Sequence, residues 1–102
     1  MVRNRDDIVK FLQMHKEELK QRFGVESLGL YGSYARDEAR EDSNIDIAIE
    51  LASGSKSLSN FTGVRNYLEE QLGKTVNLVF ESNLKPVNPW VRDTATKEII
   101  HI

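Results

Sequence analysis

The sequence has no cysteine among its 102 residues. This absence excludes disulfide bonds, zinc sites built on thiolates and cysteine nucleophiles, and it suits a reducing compartment. No apolar run approaches the length that crosses a membrane, and the first residues, MVRNRDDIVKF, lack the apolar segment of a signal peptide. We therefore expect a cytoplasmic protein that does not contact a membrane.

The sequence also lacks an excess of positive charge. The chain carries 14 Lys and Arg against 16 Asp and Glu, for a formal net charge of -2. Binding of a nucleic-acid backbone without sequence preference needs clustered positive charge, so we expect no direct nucleic-acid binding. The length fits one domain, and we predict a single domain over residues 1–102.

Hydrophobic periodicity predicts two main helices. Apolar residues three and four positions apart indicate helices over residues 5–22 and 60–72. Asp6 or Asp7 is expected to cap the first helix, and Gly24 is expected to end it. The charged residues of these helices are interpreted as solvated faces.

Alternating apolar residues predict three strands, over residues 25–31, 45–51 and 76–80. A short helix is predicted over 33–39, and a tail over 89–102 is predicted to begin helical and end extended. This order indicates an α/β (α+β) fold in which helices pack on a small mixed β-sheet. Because a full helix connects the second and third strands, these two strands can run parallel.

A glycine and a serine stand where the first strand meets the short helix. Helix N-termini expose unpaired N–H groups, so the corner at Gly32 and Ser33 can hold a phosphate on backbone donors and the Ser hydroxyl. A purely structural interpretation is also open, in which Ser33 is a helix N-cap and Gly32 a turn residue.

A second polar cluster begins the next strand. Asn44 and Asp46 are two residues apart, and such positions share one face of a strand. Two oxygen ligands on one face can grip Mg²⁺, which often uses one or two carboxylates together with substrate phosphates. Taken alone, such a pair is more often an Asx turn at a strand start.

The combination of these elements over residues 32–46 is more specific than either part. It resembles the minimal nucleotidyltransferases, a branch of the DNA polymerase beta-like nucleotidyltransferase superfamily, whose motif reads G-S-x-A-R-G and then, after a variable spacer, S-D-I-D-L. The chain reads GSYARD and then SNIDI. The resemblance extends to the first helix, to the third strand in TVNLV and to the segment beginning LKP, and so covers nearly the whole chain.

The resemblance implies a nucleotidyltransferase fold and a site for ATP and magnesium. In that family three aspartates hold two Mg²⁺ ions over a nucleotide triphosphate. The corresponding metal-binding and catalytic positions here are Asn44, Asp46 and Asn77. By the same resemblance, Gly32 and Ser33 contact the phosphates.

Two further motif positions carry expectations. Arg36 either contacts phosphate or forms a structural salt bridge, and both roles stay open. Asp37 stands where the family usually has Gly, so the local corner is expected to differ.

The metal positions depart from the family, because only Asp46 keeps its carboxylate. Asparagine offers a neutral oxygen but no charge, so both ions are expected to bind poorly and turnover to be very slow or absent. Three interpretations are open. The chain is a natural degenerate member, or an altered form in which Asp was exchanged for Asn, or a chain whose resemblance misleads and whose Asn44 and Asn77 are plain turn and strand residues.

The resemblance also implies a function and a partner. Small stand-alone members act as antitoxins that transfer AMP from ATP to a tyrosine hydroxyl of a partner HEPN-domain toxin. We expect this activity by family, impaired in this chain. The alternative is a non-catalytic binding module that neutralises its partner by contact alone.

Overall fold

The computed structural model describes residues 4–40, 42–84 and 99–102. Among these residues, three helices and four strands follow one another, together with 3₁₀ turns at Ser53–Ser55 and Glu81–Leu84. In chain order they are α1 (Arg5–Phe23), β1 (Val25–Tyr31), α2 (Gly32–Ala35), β2 (Ile45–Leu51), α3 (Leu58–Leu72), β3 (Val76–Phe80) and β4 (Ile100–His101).

The three predicted strands have the limits that their alternation indicated, and both main helices are confirmed. The short helix was predicted too long, because α2 ends at Ala35 and Asp37 then takes a left-handed backbone (φ 59°) that a helix cannot continue. The tail predicted helical from residue 89 lies outside the described residues up to 98, as does most of the segment beginning LKP. Its extended end is confirmed by β4.

Helix α1 begins at Arg5 as predicted, but its N-cap lies two or three residues before the predicted caps. The side chain of Asn4 is the N-cap, and its Oδ1 accepts a hydrogen bond of 3.0 Å from the Asp7 N–H. Asp6 and Asp7 instead lie in the first turn, where their charges favour the positive end of the helix. Gly24 ends the helix as predicted, in a left-handed conformation.

The sheet is mixed and has the strand order β3-β2-β1-β4. Strand β2 pairs antiparallel with β1 and parallel with β3, so α3 is the crossover that the sequence allowed. Strand β4 is a fourth strand beyond the three predicted, and its two residues pair with Gly29 and Leu30 of β1. The predicted small mixed sheet with helices packed on it is therefore confirmed.

The core lies between the sheet and the two long helices. Alternate residues of β2, Ile45, Ile47 and Ile49, are fully buried in one cluster with side chains from α1 and α3. The intervening Asp46 and Glu50 project to the opposite face and are half-buried. No helix in the described part of the chain is both long and apolar enough to cross a membrane.

Candidate active site

Three polar side chains form a row across the sheet. Asp46 is paired with Tyr31 of β1 on one side and with Asn77 of β3 on the other. Paired residues of neighbouring strands project from the same face, so the three side chains lie next to one another. The row is at the end of the sheet where β1 ends and where β2 and β3 begin.

A hydrogen bond joins two of the predicted metal positions. The Asn77 amide Nδ2 donates to Asp46 Oδ1 over 3.1 Å. Two carboxylates at these positions would repel each other until a cation lay between them. The neutral amide removes that repulsion and satisfies one carboxylate oxygen without an ion.

Asn44, the third predicted position, lies just before β2 with its side chain exposed. The following residue anchors the strand start, because the Ile45 N–H donates to the Thr75 carbonyl over 3.0 Å. Asn44 and Asp46 are two residues apart at this end of β2, as the sequence indicated.

Gly32 lies directly against the Asp46 carboxylate. Its φ is +75°, and a Cβ at this position would be 2.2 Å from Asp46 Oδ2. Both observations require glycine, the first because the left-handed backbone disfavours side chains and the second because no atom fits there. The predicted phosphate corner is therefore adjacent to the one remaining carboxylate.

The structural interpretation of Ser33 as an N-cap is wrong. Helix α2 begins at Gly32, its N-cap is Tyr31, and that cap makes no side-chain hydrogen bond. Ser33 is the second helical residue and is half-buried, and its carbonyl accepts from the Glu38 N–H over 2.9 Å. A phosphate contact by Gly32 and Ser33 stays a prediction.

Arg36 takes part in the salt bridge that was one of its two predicted roles. Its Nε lies 3.1 Å from Glu38 Oε2, and both side chains are largely exposed. Asp37 adopts a left-handed backbone conformation, which glycine, the usual family residue at this position, takes without steric cost. Aspartate tolerates this region better than most residues, so the turn forms at a modest energetic cost. That this corner differs from the family's stays a prediction.

The residues present do not fit the two-ion magnesium site that the resemblance implies. No group of three or more His, Cys, Asp or Glu among residues 4–40, 42–84 and 99–102 is placed to hold a metal ion. Asp46 is the one carboxylate of the predicted set, and one of its oxygens already accepts from Asn77. A pair of cations needs more negative charge than this set supplies.

The nucleotidyltransferase domain family model matches residues 12–101. The chain belongs to this family. It is 39% identical over 97 residues to the protein adenylyltransferase MntA of Thermococcus cleftensis, covering 95% of this chain and 94% of that protein. A solved minimal nucleotidyltransferase is 28% identical, with a TM-score of 0.72 over 96% of this chain and 95% of that chain. The predicted nucleotidyltransferase fold is thereby confirmed.

A toxin-antitoxin structure with AMP-PNP has the same fold. It is 23% identical, with a TM-score of 0.55, and the match covers 81% of this chain and 61% of that chain. At this identity the likeness shows the fold alone.

The structure adds site residues to this nucleotidyltransferase domain that the sequence did not indicate. Tyr31 is half-buried beside Asp46, and burial raises the pKa of its phenol, with the charge of Asp46 raising that pKa further. Phe61 and Arg65 of α3 line an open cavity of about 440 Å³ together with Tyr31, Asp46 and Asn77. The sequence signal for the helical pair was its four-residue spacing, which places both side chains on one side of α3.

Proposed function

We propose that this chain acts in the cytoplasm as an antitoxin-type member of the protein adenylyltransferases, and that its own transferase activity is impaired. The reaction moves AMP from ATP to a tyrosine hydroxyl of a partner HEPN-domain toxin. The relative named as a protein adenylyltransferase and the toxin-antitoxin structure with AMP-PNP support this proposal. In the reaction the tyrosine oxygen bonds to the α-phosphorus and the bond between that phosphorus and the α,β-bridging oxygen breaks. The phenol proton passes to solvent water, and pyrophosphate leaves.

The observation that supports impaired activity is the hydrogen bond from Asn77 to Asp46, which joins two of the three predicted metal positions. A unit charge pair at 4 Å is worth about 4 kcal/mol at an effective dielectric of 20, and a divalent ion doubles this. Solvation offsets much of that figure, which leaves a loss of several kcal/mol for each Asp absent. Since about 1.4 kcal/mol is a factor of ten in rate, two such losses bring turnover close to zero.

Restoring the carboxylates tests the proposal. The chain with Asn44→Asp and Asn77→Asp is expected to transfer AMP, in the presence of ATP and Mg²⁺, to a tyrosine of the HEPN-domain protein that co-purifies with it. Mass spectrometry of that partner locates the AMP. The unaltered chain under the same conditions is the matched control and is expected to transfer at least a hundredfold more slowly. No transfer by the restored chain to any co-purified HEPN protein would contradict the proposal.

A second candidate is neutralisation of the partner by contact alone. The same hydrogen bond favours it, because a carboxylate already satisfied by an amide has less need of an ion. The toxic activity of the partner, measured with the unaltered chain and without ATP, separates the two. Inhibition that equals the inhibition seen with ATP supports contact, and inhibition that needs ATP supports transfer.

A further inference from the structure

The cavity beside the candidate active site has two kinds of wall. Tyr31, Asp46 and Asn77 supply polar groups from the sheet, while Phe61 and Arg65 come from α3. Its volume of about 440 Å³ is within the range of small-molecule sites. The cavity is therefore lined both by a cationic side chain of α3 and by two of the three predicted metal positions, Asp46 and Asn77.

Arg65 brings the positive charge of this cavity. Within the part of the chain that the structure describes, its guanidinium takes part in no ion pair, and its side chain is exposed. Guanidinium groups bind phosphate through two parallel N–H donors, which suits them to phosphate recognition. Among the described residues, Asp46 is the one negative charge that lines the same cavity.

The charge balance decides which form of a nucleotide the cavity accepts. A site with three carboxylates and no ion repels a phosphate chain, so it depends on magnesium to bind one. Here one carboxylate and one guanidinium line the cavity, and Asn77 adds an amide in place of a second carboxylate. The repulsion that makes a cation necessary is absent.

We propose that this cavity binds the phosphate chain of a nucleoside triphosphate without a divalent cation, and that Arg65 supplies the charge that the ion would bring. This inference rests on the proposed function, from which the nucleotide class is taken. It assigns to Arg65 the role of a phosphate-binding residue in a cavity that has one carboxylate.

Calorimetric titration tests the inference on the full chain. ATP is added to the unaltered protein in MgCl₂ or in EDTA, and the two dissociation constants are expected to agree to within about twofold. Arg65→Gln is expected to weaken binding about tenfold or more in both buffers, the fold-change of a lost charge-assisted hydrogen bond. Arg5→Gln is the matched control, because it makes the same exchange at a residue that pairs with Asp6 and does not line the cavity.

Titration with inorganic tripolyphosphate shows whether the cavity recognises the nucleoside as well as the phosphate chain. Weaker binding than ATP assigns the site to a nucleotide, and equal binding overturns that assignment. Loss of ATP binding in EDTA, or unchanged binding by a folded Arg65→Gln chain, overturns the inference while leaving the proposed function untouched. The reverse result, ATP binding in EDTA with no AMP transfer by the Asn44→Asp, Asn77→Asp chain, contradicts the proposed function alone.

Discussion

A single glycine sets the spacing between the predicted phosphate corner and the Asp46 carboxylate. Gly32 combines a left-handed φ of +75° with a position where a Cβ would be 2.2 Å from Asp46 Oδ2. The sequence marked this glycine as a corner residue. Its contact with Asp46 depends on the register of β1 and β2, which the sequence does not display.

Gly32→Ala is expected to destabilise the protein by more than backbone strain alone. Placing an L-residue in the left-handed region costs about 1–2 kcal/mol, and displacing the Asp46 carboxylate adds to that. Urea denaturation measures the change in the free energy of unfolding.

Gly73→Ala is the matched control for this prediction. Gly73 has a similar φ of +70°, but nothing lies within 4 Å of the Cβ it would gain. It reports the backbone cost by itself, so equal losses at the two positions would show that the approach of Gly32 to Asp46 costs nothing.

A side-chain hydrogen bond joins two secondary-structure elements, the helices α1 and α3. The Tyr67 hydroxyl donates to the Glu18 carboxylate. Burial and then this hydrogen bond raise the pKa of Tyr67 to about 12 from its usual 10.0. The Arg22 guanidinium lies 5.3 Å from the centre of the same ring.

Tyr67→Phe is expected to lower the free energy of unfolding near pH 8 by about 0.5–1 kcal/mol, the net value of one exposed hydrogen bond. Because the folded pKa is raised, the contribution of Tyr67 is complete below pH 10 and is lost as the pH rises through about 12. Denaturation of both proteins from pH 8 to 12 measures the difference.

The difference in free energy of unfolding between the wild type and Tyr67→Phe should therefore shrink as the pH rises. Glu18→Gln keeps a neutral acceptor and serves as the control, with a smaller dependence on pH expected. Profiles of wild type and Tyr67→Phe that run parallel up to pH 12 would refute the assignment.

The whole molecule depends on one core shared by the sheet and both long helices. Ile47 occupies its centre, fully buried and paired with Leu30 of β1 and Leu78 of β3. Because the core is single, a cavity there weakens the entire domain.

Ile47→Ala is expected to lower the free energy of unfolding by about 2–5 kcal/mol, through lost transfer energy and the cavity left behind. A domain of this size has a total stability of only about 5–15 kcal/mol, so the loss is a large part of it. Thermal and urea unfolding monitored by circular dichroism give the value. Met14→Ala, at a side chain that is 77% exposed, should change stability by less than about 0.5 kcal/mol.

Most of the elements were predictable, because their causes are local. The alternation of Ile45, Ile47 and Ile49 reflects burial of one face, and it set the limits of β2 correctly. Helix α2 was predicted too long because the left-handed turn at Asp37 carries an aspartate instead of the glycine that usually marks such a turn. The fourth strand was predicted only as an extended end of the tail, because two residues are too few to show a period.

The amino-acid sequence alone led to the family, the mixed sheet and the prediction that two metal-binding carboxylates are replaced by amides, because motif letters and apolar periods are properties of the linear chain. Tertiary structure decided that Asn77 donates to Asp46, and that Tyr31 and Arg65 line the same cavity as this pair. These relations depend on strand register and on where α3 packs. Residues far apart along the chain meet only when the core forms.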